Sequence, residues 1–217
     1  MKIRFGFVVL ALLLLGGPLF AQQTAVLKEL TGMVQLKAPG GAWVTAKPGA
    51  KIDLGTVIST GFNSTAVLDL GTAQLQVHPL TRMRLDELLR QGNHVTTSVF
   101  LTVGVVHAHV DRLPSLTQSF QLRSPVSTAA VRGTQFTFGG NWVATHEGVV
   151  EFLNSAGLGR DVTAGENSEL SGLSLPVSPG DYLAEHQSVD PHAGPHAFQS
   201  VGTPASSNTG TIVVTVN

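Results

Sequence analysis

Short segments of extended character, each bounded by turn residues, run through most of this chain. The segments are 25–37, 65–70, 73–77, 82–88, 95–109, 119–123, 135–138, 142–145 and 149–153, and Gly, Pro, Asn or Asp bounds each one. Leu75 and Val77 alternate with Gln74 and Gln76, which is the pattern of a half-buried strand. Segment 80–89 fits a helix as well as a strand. The pattern as a whole predicts an all-β chain.

The spacing of apolar pairs leaves two architectures open. The pairs Leu68/Leu70, Leu75/Val77 and Met83/Leu85 recur every seven or eight residues. A β-meander would use this spacing for hairpins, and a β-solenoid would use it for successive sides of a coil. The spacing alone does not separate a meander from a solenoid.

The N-terminus has the organisation of a secretory signal peptide. Lys2 and Arg4 precede an apolar run over 5–15, Gly and Pro break it at 16–18, and Ala21 precedes polar residues. We expect cleavage after Ala21, and export to the periplasm or beyond the cell. The apolar stretch of about 17 residues is marginal for a membrane span, so a retained anchor is the weaker alternative and we expect no stable span after cleavage.

Composition narrows the range of functions. Without residues 1–21 the chain keeps 11 of its 13 basic and all 14 acidic side chains, a net charge of −3, and it has no basic cluster. This argues against nucleic-acid binding. The absence of cysteine excludes a lipid anchor on cysteine and a disulfide framework. The sequence carries none of the common nucleophile, zinc-hydrolase or phosphate-loop motifs, so we expect neither catalysis nor a cofactor.

The block SPVSTAAVRGTQFTF at 124–138 is the most distinctive part of the sequence. Its defining residues are Pro125, Val131, Arg132, Gly133, Thr134 and Phe136. Gly133 is suited to a positive φ, and Phe136 begins an alternation typical of a strand. A planar cation at such a bend predicts that backbone carbonyls hold the Arg132 guanidinium.

Five blocks in this order resemble the FecR domain, the periplasmic domain of regulators of iron-citrate uptake. They are TGMVQLK at 31–37, the tryptophan- and glycine-containing stretch 41–70, the block at 124–138, HEGVVEFLN at 146–154 and VTAGENSEL at 162–170. The sequence departs from the family pattern at Thr56 and Ser124, both at turns. The resemblance implies a twisted β-solenoid, here a domain over 22–187, whose relatives bind other proteins.

The regulators that this domain resembles have a cytoplasmic anti-sigma segment and one membrane helix before it. Here nothing precedes the signal sequence, so we do not expect sigma regulation across a membrane. We expect a scaffold or sensory accessory that binds a protein partner in the cell envelope.

Two groups of side chains suggest ligands of other kinds. Trp43 and Trp142 are candidates for a partner surface or for stacking on a carbohydrate or cell-wall ligand, although single tryptophans in β-domains more often pack in or near the core. His107 and His109 share one strand face with Asp111 next in register, a weak candidate for a metal site. Two solvent-facing imidazoles are the more usual outcome, so we expect no metal.

The C-terminal segment differs in composition from the domain. Residues 188–217 form an irregular tail rich in Pro, Gly, Ser, Ala and His, and it ends in the strand-like TIVVTV at 211–216. This uncharged segment is predicted either to add as a strand to this domain or a partner, or to cover an open end of the domain.

Overall fold

The alternating segments form seventeen strands in the computed structural model, which describes residues 24–170, 172 and 174–177. The strands are β1 (Ala25–Thr31), β2 (Val34–Lys37), β3 (Trp43–Thr45), β4 (Lys51–Ile52), β5 (Val57–Thr60), β6 (Thr65–Asp69), β7 (Ala73–Val77), β8 (Arg82–Gln91), β9 (His94–Val103), β10 (Val106–Val110), β11 (Thr117–Arg123), β12 (Ser127–Val131), β13 (Gln135–Phe138), β14 (Trp142–Glu147), β15 (Val149–Asn154), β16 (Gly159–Thr163) and β17 (Asn167–Glu169). No helix occurs among the described residues, so the all-β prediction is confirmed.

The strands form two sheets, and the chain passes repeatedly from one sheet to the other. The eight-stranded sheet has the order β17-β14-β13-β10-β7-β6-β1-β4, and the nine-stranded sheet has the order β16-β15-β12-β11-β9-β8-β5-β2-β3. Neighbouring strands in the described chain are antiparallel except for the parallel pair β9 and β11. The chain therefore advances along both sheets from one end to the other, but this pairing does not confirm the coil-upon-coil stacking of a solenoid.

The core lies between the two sheets and follows the strand alternation. Inward residues of β6 and β7 are fully buried, whereas Gln74 and Gln76 are exposed. Four phenylalanines join the sheets edge to face: the rings of Phe120 and Phe136 are 6.4 Å apart, and those of Phe138 and Phe152 are 6.5 Å apart. Such pairs add to the stabilisation that burial alone provides.

The alternative left open at 80–89 is resolved, and two predicted strands need correction. Segment 80–89 is not helical, because Met83 and Leu85 alternate into the core along β8. The predicted strands 25–37 and 95–109 are each two strands, since the chain crosses from one sheet to the other at 32–33 and at Gly104. Gly104 has a φ of 104°, and a Cβ there would lie 2.5 Å from the Cα of Thr81. Only glycine fits this crossing without displacing backbone.

The predicted signal peptide at 1–21 and the predicted tail at 188–217 lie outside the described residues. The part of the chain that the structure describes has no helix long and apolar enough to cross a membrane.

Candidate binding surface

Eight turns on one lateral side of the two-sheet body contain no charged residue. These turns, which we call the uncharged ridge, are 31–33, 61–64, 78–81, 103–105, 124–127, 139–141, 155–158 and the described part of 170–177. None of them contains Asp, Glu, Lys or Arg. Such a surface is unusual because exposed turns favour polar and charged side chains.

Hydrogen bonds between turns make the uncharged ridge continuous. Gly61 donates its N–H to the carbonyl of Met33 (2.9 Å), and Leu80 donates to the carbonyl of Gly61 (3.2 Å). His78 then donates to the carbonyl of Val105 (3.1 Å). The other half is joined by bonds from Ser124 Oγ to Gly140 O (2.6 Å), from Leu170 N to Asn141 O (2.8 Å) and from Asn154 Nδ2 to Ser174 O (3.0 Å). The pairing of Val106 with Phe138 connects the two halves.

Large apolar side chains project from most turns of the ridge. They are between 45% and 80% exposed, and they comprise Met33, Phe62, Leu80, Val103, Val126, Leu158 and Leu175. Phe62, at 80%, is the most exposed large hydrophobic of the described residues. The sequence analysis missed this surface. The available signal was an apolar residue directly after Gly or Pro inside a turn, as in Gly61-Phe62 and Pro79-Leu80.

The turn at 78–81 holds its apolar side chain in a strained conformation. Leu80 has a φ of 57°, a region that a bulky side chain seldom adopts. Buried hydroxyls fix this turn, since Thr60 Oγ1 donates to His78 O (2.6 Å) and accepts from the Thr81 N–H (3.0 Å). Strain of this kind persists only where the surroundings impose it, and it is concentrated at functional sites.

The opposite lateral side, which we call the charged side, contains the Arg132 bend. Its turns carry Asp53, Asp111, Arg112, Arg132 and Glu166, and Glu147 ends the adjoining strand β14. The prediction that carbonyls hold Arg132 is wrong: the side chain is exposed, without a hydrogen bond or ion pair to any described residue. The reason is that Val131 points into the core, which turns the next side chain outward. Hydrogen bonds to the backbone of β10 hold the bend instead. The N–H groups of Thr134 and Val110 each donate to the carbonyl of the other residue at 3.0 Å.

The other residues of the 124–138 block have structural positions. Gly133 has a φ of 84° and packs directly against Arg112. Thr134 Oγ1 donates to the carbonyl of Val149 at 3.0 Å, and Phe136 is fully buried. Pro125 lies exposed in a turn of the uncharged ridge.

The two tryptophans do not share a surface. Trp43 begins β3 at one end of the nine-stranded sheet, and Trp142 begins β14 near the other end of the eight-stranded sheet. The cationic groups of Arg82 and Lys37 lie 5.6 Å and 5.8 Å from the centre of the Trp43 ring system. Trp142 is half-buried against Gly139, where any Cβ would meet its indole.

His107 and His109 point outward from β10, between the inward Val106 and Val110. His109 lies beside Asp111 (Nε2 to Oδ1, 3.4 Å). His107 is engaged elsewhere, because its Nδ1 is 3.0 Å from Thr137 Oγ1. No group of three metal-ligating side chains forms within residues 24–170, 172 and 174–177.

Hydrogen bonds connect His107 to a second histidine. Thr137 Oγ1 lies 2.8 Å from His146 Nε2, and Gln135 Nε2 lies 3.0 Å from His107 Nε2. The two imidazole rings are 5.2 Å apart. Burial lowers the pKa of His107, and the neighbouring His146, His78 and His109 lower it further.

No family model matches this chain. No curated protein matches it either. One solved structure is similar, a protein from Parabacteroides distasonis described as a "putative anti-sigma factor". The match covers 61% of this chain and 65% of the other, at 15% identity and a TM-score of 0.45. A likeness this distant carries no argument about function.

Proposed function

We propose that this chain is a non-enzymatic protein-interaction module of the cell envelope, of FecR type, which binds its partner through the uncharged ridge. It works as an exported scaffold or sensory accessory, in the periplasm or outside the cell. The observation that carries the proposal is the row of exposed apolar side chains on turns without charge. The FecR-like blocks in the sequence support the same class of function.

The apolar area of the ridge suits a protein partner. Taking about 180 Å² for the accessible surface of one large apolar side chain, its seven exposed side chains present roughly 700 Å². The largest apolar patch of a typical monomer measures about 300–600 Å². One partner contributes about 800 Å² to an interface of standard size. The ridge therefore has nearly the area of one side of a stable interface.

The chemistry of the ridge favours a protein over a sugar. Burial of Met33, Phe62 and Leu80 lowers the free energy, and a matching apolar strip on a protein partner would bury them. A glycan would need free polar groups to pair its hydroxyls, but several polar side chains of these turns already hydrogen-bond within the chain, among them Ser64, Ser124 and Asn141. We therefore expect the partner to present an uncharged, apolar strip.

Charge substitutions on the ridge test the proposal. Phe62→Asp and Leu80→Asp each place an unpaired carboxylate in the interface, so each should weaken binding by at least about 30-fold, the equivalent of about 2 kcal/mol at a central contact. Leu89→Asp is the matched control, because Leu89 is 42% exposed but lies on β8 away from the ridge.

The experiment begins with the mature chain carrying a photo-reactive phenylalanine at position 62. A protein cross-linked in envelope extract is then purified, and its affinity for each variant is measured by calorimetry. The proposal predicts loss of binding for the two ridge variants alone. Equal binding by all variants, or equal loss with Leu89→Asp, would refute it; circular dichroism establishes that each variant is folded.

The alternative function is binding of a carbohydrate or cell-wall ligand at Trp43 or Trp142. It has less support, because cations already lie over the ring of Trp43 and Trp142 packs on Gly139. Retention of the purified chain on cell-wall glycan, lost in Trp43→Ala or Trp142→Ala, would favour this alternative over the ridge.

A further inference from the structure

A depression on the charged side combines cations, apolar side chains and a buried amide. Its volume is about 220 Å³, and its lining includes Arg112, Leu113, Leu116, Gln118 and Arg132. It is smaller than the roughly 300 Å³ at which drug-sized ligand sites begin, so it would hold a ligand fragment or one terminal residue.

Gln118 gives the depression an unused hydrogen-bond acceptor. The residue is 94% buried, and Nε2 donates to both the carbonyl oxygen and Oγ1 of Thr72 at 3.1 Å each. Because that carbonyl can only accept, Nε2 must face it and Oε1 must be the other amide atom. Oε1 is buried and has no hydrogen-bond partner among the described residues. A buried acceptor without a donor is costly, which points to a donor supplied from outside the chain.

The guanidinium groups of the two arginines have no partner in the described part of the chain. Neither Arg112 nor Arg132 makes a hydrogen bond or ion pair with the described residues. Gly133 brings them together, because a Cβ at this position would lie 2.9 Å from the Cα of Arg112. Asp111, which also lines the depression, has its carboxylate beside His109. Two arginines without a partner among the described residues therefore line the same depression.

We propose that this depression, which we call the arginine site, binds the free carboxyl terminus of a peptide with an apolar last residue. The carboxylate accepts hydrogen bonds from Arg112 and Arg132, the geometry for which guanidinium is suited. The last backbone N–H donates to Gln118 Oε1, and the side chain packs against Leu113 and Leu116. The site also gives Arg132 and Gly133, which lie outside the ridge, a role: Gly133 permits the close approach, and Arg132 binds.

The test uses acetyl-alanyl-alanine and its C-terminal amide as probes for the isotope-labelled mature chain. The free acid should shift the amide resonances of 111–118 and 131–134 and saturate with a Kd of about 0.1–5 mM, the range for a ligand of few atoms. The amide form should bind at least about tenfold more weakly, because it lacks the charge that the guanidinium groups recognise.

Arginine variants complete the test. Arg112→Gln and Arg132→Gln should each weaken binding about fivefold, a modest factor because both groups are exposed and screened. Arg123→Gln, at an exposed arginine outside the lining, is the matched control and should change nothing. Equal binding of acid and amide, binding of acetate as tight as that of the peptide, or no binding at all would overturn the proposal. Binding to the ridge partner should be unchanged in these variants, so the two proposals fail separately.

Discussion

Replacing Gly133 with alanine tests how the charged side is built. The backbone at this position has a φ of 84°, and a Cβ would lie 2.7 Å from the Cβ and 2.9 Å from the Cα of Arg112. The left-handed conformation costs an L-residue about 1–2 kcal/mol. Displacing packed backbone adds about 1–3 kcal/mol, the usual cost of overpacking. We expect Gly133→Ala to lower the free energy of unfolding by about 3 kcal/mol.

Gly165→Ala is the control that separates the two costs. Gly165 has nearly the same φ, 86°, but nothing lies within 4 Å of where its Cβ would be. Gly165→Ala should therefore lower the free energy of unfolding only by the cost of the left-handed conformation, about 1 kcal/mol.

Thermal unfolding followed by circular dichroism measures both variants. For a chain of this size 1 kcal/mol corresponds to about 2–4 °C, so Gly133→Ala should melt about 6–12 °C lower and Gly165→Ala about 2–4 °C lower. Equal shifts for the two variants would show that Arg112 does not pack tightly on the bend, and this part of the reasoning would be wrong.

Two further predictions concern the core and the histidines. Phe138→Ala should lower the free energy of unfolding in urea by about 3–5 kcal/mol, because the side chain is fully buried against Phe152, whereas the exposed Phe62→Ala should change it by less than about 0.5 kcal/mol. The lowered pKa of His107 means that the unfolded chain binds more protons near pH 6, so stability should fall as the pH is lowered from 7.5 to 5.5. His107→Gln should reduce this fall, and an unchanged pH dependence of urea unfolding would contradict the prediction.

The sequence alone predicts the strands well because their signal is local. Along β10, the outward His107 and His109 alternate with the inward Val106 and Val110, as the period of two requires. The error at 95–109 arises because Gly104 lies within the mostly apolar run 99–106, where a single glycine fits a strand as well as a crossing between sheets. The requirement for glycine comes from Thr81, a contact that only the folded chain creates.

The two candidate sites depend on contacts between distant parts of the sequence. Met33, Phe62 and Leu80 become neighbours through hydrogen bonds between their turns, and no periodicity relates these positions in the sequence. The error at Arg132 is different in kind. A cation at a bend suggests that backbone carbonyls bind the guanidinium. In this chain backbone hydrogen bonds to Val110 close the bend, and the Arg132 side chain is left exposed.

The difference between the two lateral sides argues that the ridge serves an interaction rather than the fold. Both sides consist of turns that connect strands of the same two sheets, so folding makes similar demands on them. The charged side has the composition expected of exposed turns, whereas the ridge carries Phe62 and Met33 largely in water. A side chain that is 80% exposed buries little and stabilises this chain little, and a charge in its place would favour solubility. Apolar side chains on successive turns therefore contribute a favourable free energy only when another surface covers them.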